Sequence, residues 1–383
     1  MSVDIERHDA GRAWRARFPP PRAPQEFHRG LSGYEATPLR AAGGLAEEFG
    51  LGALWLKDET VRLTLPAFKI MGASWAVAQA LRRHLGLQSV GTIDELRAAL
   101  AQASRPTLVA ATDGNHGRAV ARMARLLDLP ARIFVPEDMV PARRTAIASE
   151  GAEVLVVDGG YDAAVARSAR EPGVVVSDTS WPGYDETPRD VIDGYSTVLW
   201  EVEDELRRRG APDPDVVLVP VGVGAFAAAV VAHYRRPGLP RAPSIIAVEP
   251  ARAACLLASA RAGELVTIPG LQDSIMSGLN CGTPSAVAWP SVSGGIDRFV
   301  AIDDDAARLG MRALAAEGIV GGECAGATVG AMHALRSAGM AEDTGLVLGA
   351  SVLTFLTEGA TDPAGYERIV GRRSEDVAAG AAD

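Results

Sequence analysis

The sequence predicts an α/β protein made of two three-layer units with a ligand cleft between them. Short apolar runs alternate with helix-spaced segments from residue 106 onward, a pattern that implies parallel strands joined by right-handed crossovers. Gly-rich turns follow several of those runs and open the next helical segment. The length of 383 residues suits two or three compact units. The expected division is a smaller unit over residues 74–188 and a discontinuous larger one over 1–73 and 189–383.

Residues 1–35, rich in Pro and Arg, are expected to wrap the surface. LWLKDET (54–60) reads as a strand entering a polar turn, and GASWAVAQALRRHL (72–85) has helical spacing. PTLVAA, ARIFVP, AEVLVVD and GVVVSD read as buried strands of the smaller unit, separated by helices at 117–127, 141–151 and 161–171. The larger unit resumes with a strand and helix over 215–234 and the strand SIIAVEP. Helices over 304–318 and 325–339 follow, then the late strand SVLTFL. Arg207–Arg209 close an apparent helix as a solvated end, and the last residues look frayed.

Several function classes are disfavoured. A net charge of -10 with no basic tract argues against a nucleic-acid partner. Pro220, Gly222 and Gly224 break the longest apolar stretch, so no membrane span is expected. The N-terminus lacks the apolar core of a secretory signal, which points to a cytoplasmic protein. Cys255, Cys281 and Cys324 lack metal-site spacing. The first two could be buried thiols or a bridge at an entrance loop, and a cytosolic setting favours thiols.

Four loops could carry chemistry. Only two of the 38 basic residues are lysine, Lys57 and Lys69. Lys69 stands where a turn enters a helix; the positive field there would favour a neutral, reactive amine, against the alternative of a solvent-facing lysine. TDGNHG (112–117) links a strand to a helix and suits an anionic ligand. In it Asn115 could donate to a ligand oxygen, Asp113 could be a base or a helix cap, and His116 an acid–base group or a packed residue. PVGVGAF (220–226), with Gly222, Gly224 and the following Ala227, would suit a phosphate at a helix start. It also partly imitates a dinucleotide fingerprint, with Glu249 as its acidic partner, so a nicotinamide-dependent oxidoreductase stays open. In LTEGATD, Thr357 or Glu358 would sit beyond the carboxyl end of a strand, where ligands of parallel sheets bind. A reactive amine, an amide, a phosphate cradle and a hydroxyl together meet the needs of pyridoxal 5'-phosphate.

AFK with Lys69, the GNHG loop and the GVGA loop resemble the fold-type II pyridoxal phosphate enzymes, the tryptophan synthase β-like group, in motif order over almost the whole chain. TDGNHG in place of the dehydratases' SSGNHG, together with DTSWPGY, SIMSGLNCG and LTEGATDP, is most similar to the diaminopropionate ammonia-lyases. That resemblance implies a cofactor held by Lys69 as a Schiff base, with Phe68 near its ring and Asn115 at its phenolic oxygen. It places the phosphate on Gly222–Ala225 and Thr357 at the ring nitrogen. It implies α,β-elimination of 2,3-diaminopropionate to pyruvate and ammonia, with Asp113 as base for the D-substrate and Asp178 assisting the L-substrate. It further implies a homodimer. Pro66, Asn280 and Cys324 depart from the family's pattern and would reshape the pocket. A serine/threonine dehydratase-like lyase, or a relative acting on another β-substituted amino acid, is the alternative.

Overall fold

The computed structural model of the chain describes residues 1–380 apart from Ala10, Phe18 and Asp113. Its strands are β1 (Val3–Arg7), β2 (Leu39–Ala41), β3 (Ala53–Asp58), β4 (Leu108–Ala111), β5 (Ala131–Pro136), β6 (Glu153–Val157), β7 (Val174–Val175), β8 (Val216–Pro220), β9 (Ser244–Pro250), β10 (Arg298–Ile302) and β11 (Ser351–Leu356). They form a seven-stranded sheet ordered β1-β10-β9-β8-β11-β3-β2 and a four-stranded sheet ordered β6-β5-β4-β7. Every strand of the smaller sheet lies between residues 108 and 175 and pairs in parallel. In the larger sheet only the edge strands β1 and β2 run antiparallel. β4, β8, β9 and β11 are buried along their whole length, which is why they read as unbroken apolar runs rather than alternating ones.

Both ends of the chain are more ordered than their composition suggests. Residues 1–35 do more than wrap the surface: β1 pairs with β10, and the helix Ala23–Arg29 buries Phe27 and His28. The period of β1 was masked by charged residues that an edge strand can carry. At the other end, Ser374–Ala379 is a helix that buries Val377 against a cluster with Met311, Ala315 and Tyr366. One apolar side chain among small and charged ones was enough to dock it.

Two helices set the floor of the larger unit. A Cβ on Gly310 would collide with the carbonyl of Gly326, and one on Gly330 with that of Ala306. Asp304–Ala316 and Glu323–Ser337 therefore cross in backbone contact, which fixes where the second helix begins.

Lys57 is buried, and its Nζ donates to Glu201 Oε2 at 2.6 Å and to the Thr37 carbonyl at 2.7 Å. Arg62 donates to both carboxylate oxygens of Glu201 at 2.8 and 2.7 Å and pairs with Glu59. Tyr34 donates to the same Glu201 at 2.7 Å. The cluster ties the N-terminal arm and the loop after β3 to the helix Glu186–Arg209.

Burial raises Glu201, yet Lys57 and Arg62 outweigh it and hold the carboxyl below its ordinary value. Its contribution to stability is therefore complete above the usual carboxylate range and is lost as pH falls below it. Glu201→Gln, which leaves two buried cations short of a partner, should lower the unfolding free energy by about 3–5 kcal/mol in urea denaturation at neutral pH, with the deficit shrinking in acid.

Candidate active site

Four strand ends and one backbone tie converge on a single cavity. The Phe68 N–H donates to the Thr357 carbonyl at 3.3 Å, and Gly359 N–H to that of Pro66 at 3.0 Å. Ala67 and Glu358 form a bridge between these bonds. Residues 66–68 thus extend the edge of β11, and the helix Lys69–His84 starts beside its carboxyl end.

The loop after β4 turns sharply. Gly114 has φ +152°, and its N–H donates to Thr112 Oγ1 at 2.8 Å. A Cβ on Gly117 would strike Thr112 and Ile133, so glycine lets the helix Asn115–Leu126 approach the strand. After β8, Gly224 has φ +96° and precedes the helix Ala225–Tyr234.

Phe68, Lys69, Asn115, Asp178, Gly222, Val223, Gly224, Ala225 and Thr357 all line the same cavity. Asp113 lies outside the described residues. Phe68 packs against Tyr195 and Phe226, with ring centroids at 4.8 and 4.6 Å. Lys69 Nζ donates to Asp178 Oδ2 at 3.0 Å, and the Tyr161 hydroxyl donates to Asp178 Oδ1 at 2.9 Å. The amine therefore faces a carboxylate, whose field is opposite in sign to the one expected from the helix start alone. Burial raises Asp178, but Lys69, His116 and the two hydrogen bonds prevail and hold it well below the carboxylate range.

His116 is the packed residue of the two alternatives. It is buried, its Nε2 lies 2.9 Å from the Val176 carbonyl, and burial lowers it. Glu249 cannot serve a ribose. It is fully buried, accepts from the N–H groups of Leu256 and Leu257 at 2.8 Å each, and burial pushes it up to about 8. Cys255, Cys281 and Cys324 are buried and form no disulfide. Cys281 and Cys324 line the cavity, whereas Asn280 turns away to the Ser274 carbonyl at 2.8 Å.

Tyr161 and Glu358 also line the cavity. Tyr161 read only as the start of a helix, because nothing in its neighbourhood signals a carboxylate partner far along the chain. Glu358 was legible with Thr357 at the end of β11, but its direction into the cavity was not.

The residues fit pyridoxal phosphate. Thr357 Oγ1 is buried and has no hydrogen-bond partner among the described residues, which suits a hydroxyl awaiting a ring nitrogen. The backbone at Gly222–Ala225 opens a ten-residue helix, where N–H groups and the helix field favour a phosphate. Residues 31–357 match the pyridoxal-phosphate dependent enzyme family. The chain belongs to that family.

Pyridoxal phosphate is therefore its cofactor, and its two-sheet architecture is that of fold type II. As a family member the chain is 34% identical over 369 residues to diaminopropionate ammonia-lyase of Escherichia coli K12, covering 92% of each chain. It is 35% identical over 366 residues to that of Salmonella typhimurium, covering 90% of each. The crystal structure of the E. coli enzyme in complex with an aminoacrylate–PLP azomethine reaction intermediate is 32% identical and superposes with a TM-score of 0.87 over 96% of this chain and 97% of the other. The apo form of that enzyme gives a TM-score of 0.79 over 96% of each chain.

Gly224→Ala tests the phosphate cradle. The added Cβ would meet only ordinary contacts at 3.5 Å, so strain at φ +96° is the main cost. If the cofactor-free loop relaxes out of that conformation, about 1–2 kcal/mol of strain must be restored on binding, a rise in the cofactor dissociation constant of roughly tenfold, measurable by absorbance titration.

Proposed function

We propose that this protein is a carbon–nitrogen lyase that eliminates ammonia from 2,3-diaminopropionate, giving pyruvate and a second ammonia. The observation that carries the reading is the Lys69–Asp178 pair at 3.0 Å in the cofactor cavity. An amine able to hold the cofactor stands beside a buried carboxylate able to take a proton. The likeness to diaminopropionate ammonia-lyases over nine-tenths of the chain supports the substrate.

When bound, pyridoxal phosphate withdraws electrons from the substrate's α-carbon, which acidifies its proton and opens the way for the β-amine to leave. The protein's part is to bind, orient and move protons. Asn115, Thr357 and the Gly222–Ala225 backbone hold the ring and phosphate, and Phe68 packs at the cavity wall. Tyr161 fixes one oxygen of Asp178 and leaves the carboxylate facing Lys69. Any change that removes the ammonium from Lys69 removes the chief partner that holds Asp178 down, and burial then raises its affinity for a proton. That makes Asp178 a base only once the lysine is engaged. Carboxylates also suit a substrate whose β-amine is cationic. On this reading Asp178 assists the L-substrate, and Asp113 on the TDGNHG loop is the base for the D-substrate.

Several hydrogen bonds reach across the cleft. Ser180 Oγ lies 3.1 Å from Ser285 Oγ and accepts from the Val287 N–H at 3.1 Å, while Arg143 donates to Ser277 and to Thr361 at 3.2 Å. The smaller unit, residues 74–188, would close on the larger through these contacts. The same reading includes a cytoplasmic setting, and a homodimer as the family resemblance implies. Among the described residues no helix is long and apolar enough to cross a membrane.

Pyruvate release from 2,3-diaminopropionate and from serine, followed in a coupled assay, separates the two lyase readings. Diaminopropionate should turn over faster; equal or faster release from serine would make the protein a dehydratase. Lys69→Ala should abolish the borohydride-reducible cofactor band. Asp178→Asn should slow the L-substrate by about 10²–10⁴-fold and the D-substrate less, and Asp113→Asn should show the reverse bias.

A further inference from the structure

Glu358 is a carboxylate in the wall of the cofactor cavity, only 2% exposed and without an ion pair among the described residues. Its hydrogen-bond partners are neutral groups, and the buried carboxyl of Glu323 lies near it. Oε2 accepts from Asn115 Nδ2 at 2.7 Å, and Oε1 accepts from the Cys324 N–H at 3.3 Å. Cys324 is the second residue of the fifteen-residue helix Glu323–Ser337, so the carboxylate sits in the positive field of a helix start. Its backbone is held as well, since it bridges Ala67 and accepts from the Gly322 N–H at 3.0 Å. Glu358 is thus built into the larger unit on three sides.

Asn115 lies on the other side of the cleft. It is the first residue of its helix, follows a glycine at φ +152°, and is only partly buried. Its side-chain amide can turn either way by its own geometry. A carboxylate offers acceptors only, so Nδ2 and not Oδ1 must face Glu358. One of the two amide hydrogens is then used, and the second remains for the cavity.

We propose that Glu358 is a positioning residue, which fixes the Asn115 amide across the cleft so that its remaining N–H meets the phenolic oxygen of the cofactor. The inference rests on Asn115 being the contact to that oxygen. It adds that the contact exists only when the smaller unit stands close enough to Glu358 for the 2.7 Å bond. Glu358 makes cofactor binding sensitive to how the two units sit, although it need not touch the cofactor.

The test is a double-mutant cycle on cofactor binding to the full-length protein, without substrate. Glu358→Ala and Asn115→Ala should each weaken pyridoxal phosphate by about ten- to hundredfold, the loss of one charged or buried hydrogen bond. The two variants should shift the visible band of the bound cofactor alike. The double variant should bind no more weakly than the worse single one. Additive losses would overturn the proposal, as would a Glu358→Ala protein with unchanged affinity and band. Thermal melts of the cofactor-free proteins report on folding. If Glu358→Ala does not fold, Glu358→Gln enters the same cycle, where non-additivity supports and additivity refutes. Because no substrate is used, an intact cycle in a protein that does not release pyruvate from diaminopropionate would count against the reaction and not against this role.

Discussion

The backbone tie between residues 66–68 and 357–359 sets the distances in the cavity. It joins the segment before Lys69 to the end of β11 through two hydrogen bonds and a bridge. The amine of Lys69, the hydroxyl of Thr357 and the carboxyl group of Glu358 consequently share one piece of backbone. The buried cluster around Glu201 supports that piece from behind, because Arg62 and Glu59 lie on the same loop as the tie. Polar groups on loops could not hold such positions alone. Here each loop is short and anchored at a strand end.

Electrostatics divides the chain in the same way. Of the two lysines, one is consumed in the buried cluster and the other faces Asp178 in the cavity. Many arginines lie in exposed pairs with nearby acids, as along Arg207–Arg209 with Glu203, Asp204 and Glu205. Such exposed pairs contribute little stability. The cavity lining sets the Lys69 amine and the carboxyl groups of Asp178 and Glu358 among backbone N–H groups and the hydroxyls of Tyr161 and Thr357.

Much of this was legible in the sequence. The buried strands of both sheets announced themselves as apolar runs, and the Gly-rich turns marked where ligand groups would lie. Nine residues expected at the site line one cavity, because motif loops in a parallel sheet all end on the same side. What stayed hidden were partners distant in sequence. Tyr161 and Asp178 meet across 17 residues, and Asn115 and Glu358 across 243. Neither pair has a local pattern. The helix Ile93–Leu100, with its Thr92–Glu95 capping box, was present in the residues but was passed over between two stronger signals. The edge strand β1 was hidden by its charges.

The order of strands also bears on how the chain comes into being. The smaller sheet is complete once residue 175 has been made. The larger one is not: β3 pairs with β11 along its length, from Ala53 against Ser351 to Asp58 against Leu356. During synthesis, β3 must wait until β11 is made before it has a neighbour on that side. Long-range parallel pairing of this kind is slow and leaves apolar edges open while it waits. The segment that carries Lys69 is made long before β11, yet it reaches its final place only once β11 has formed beside it.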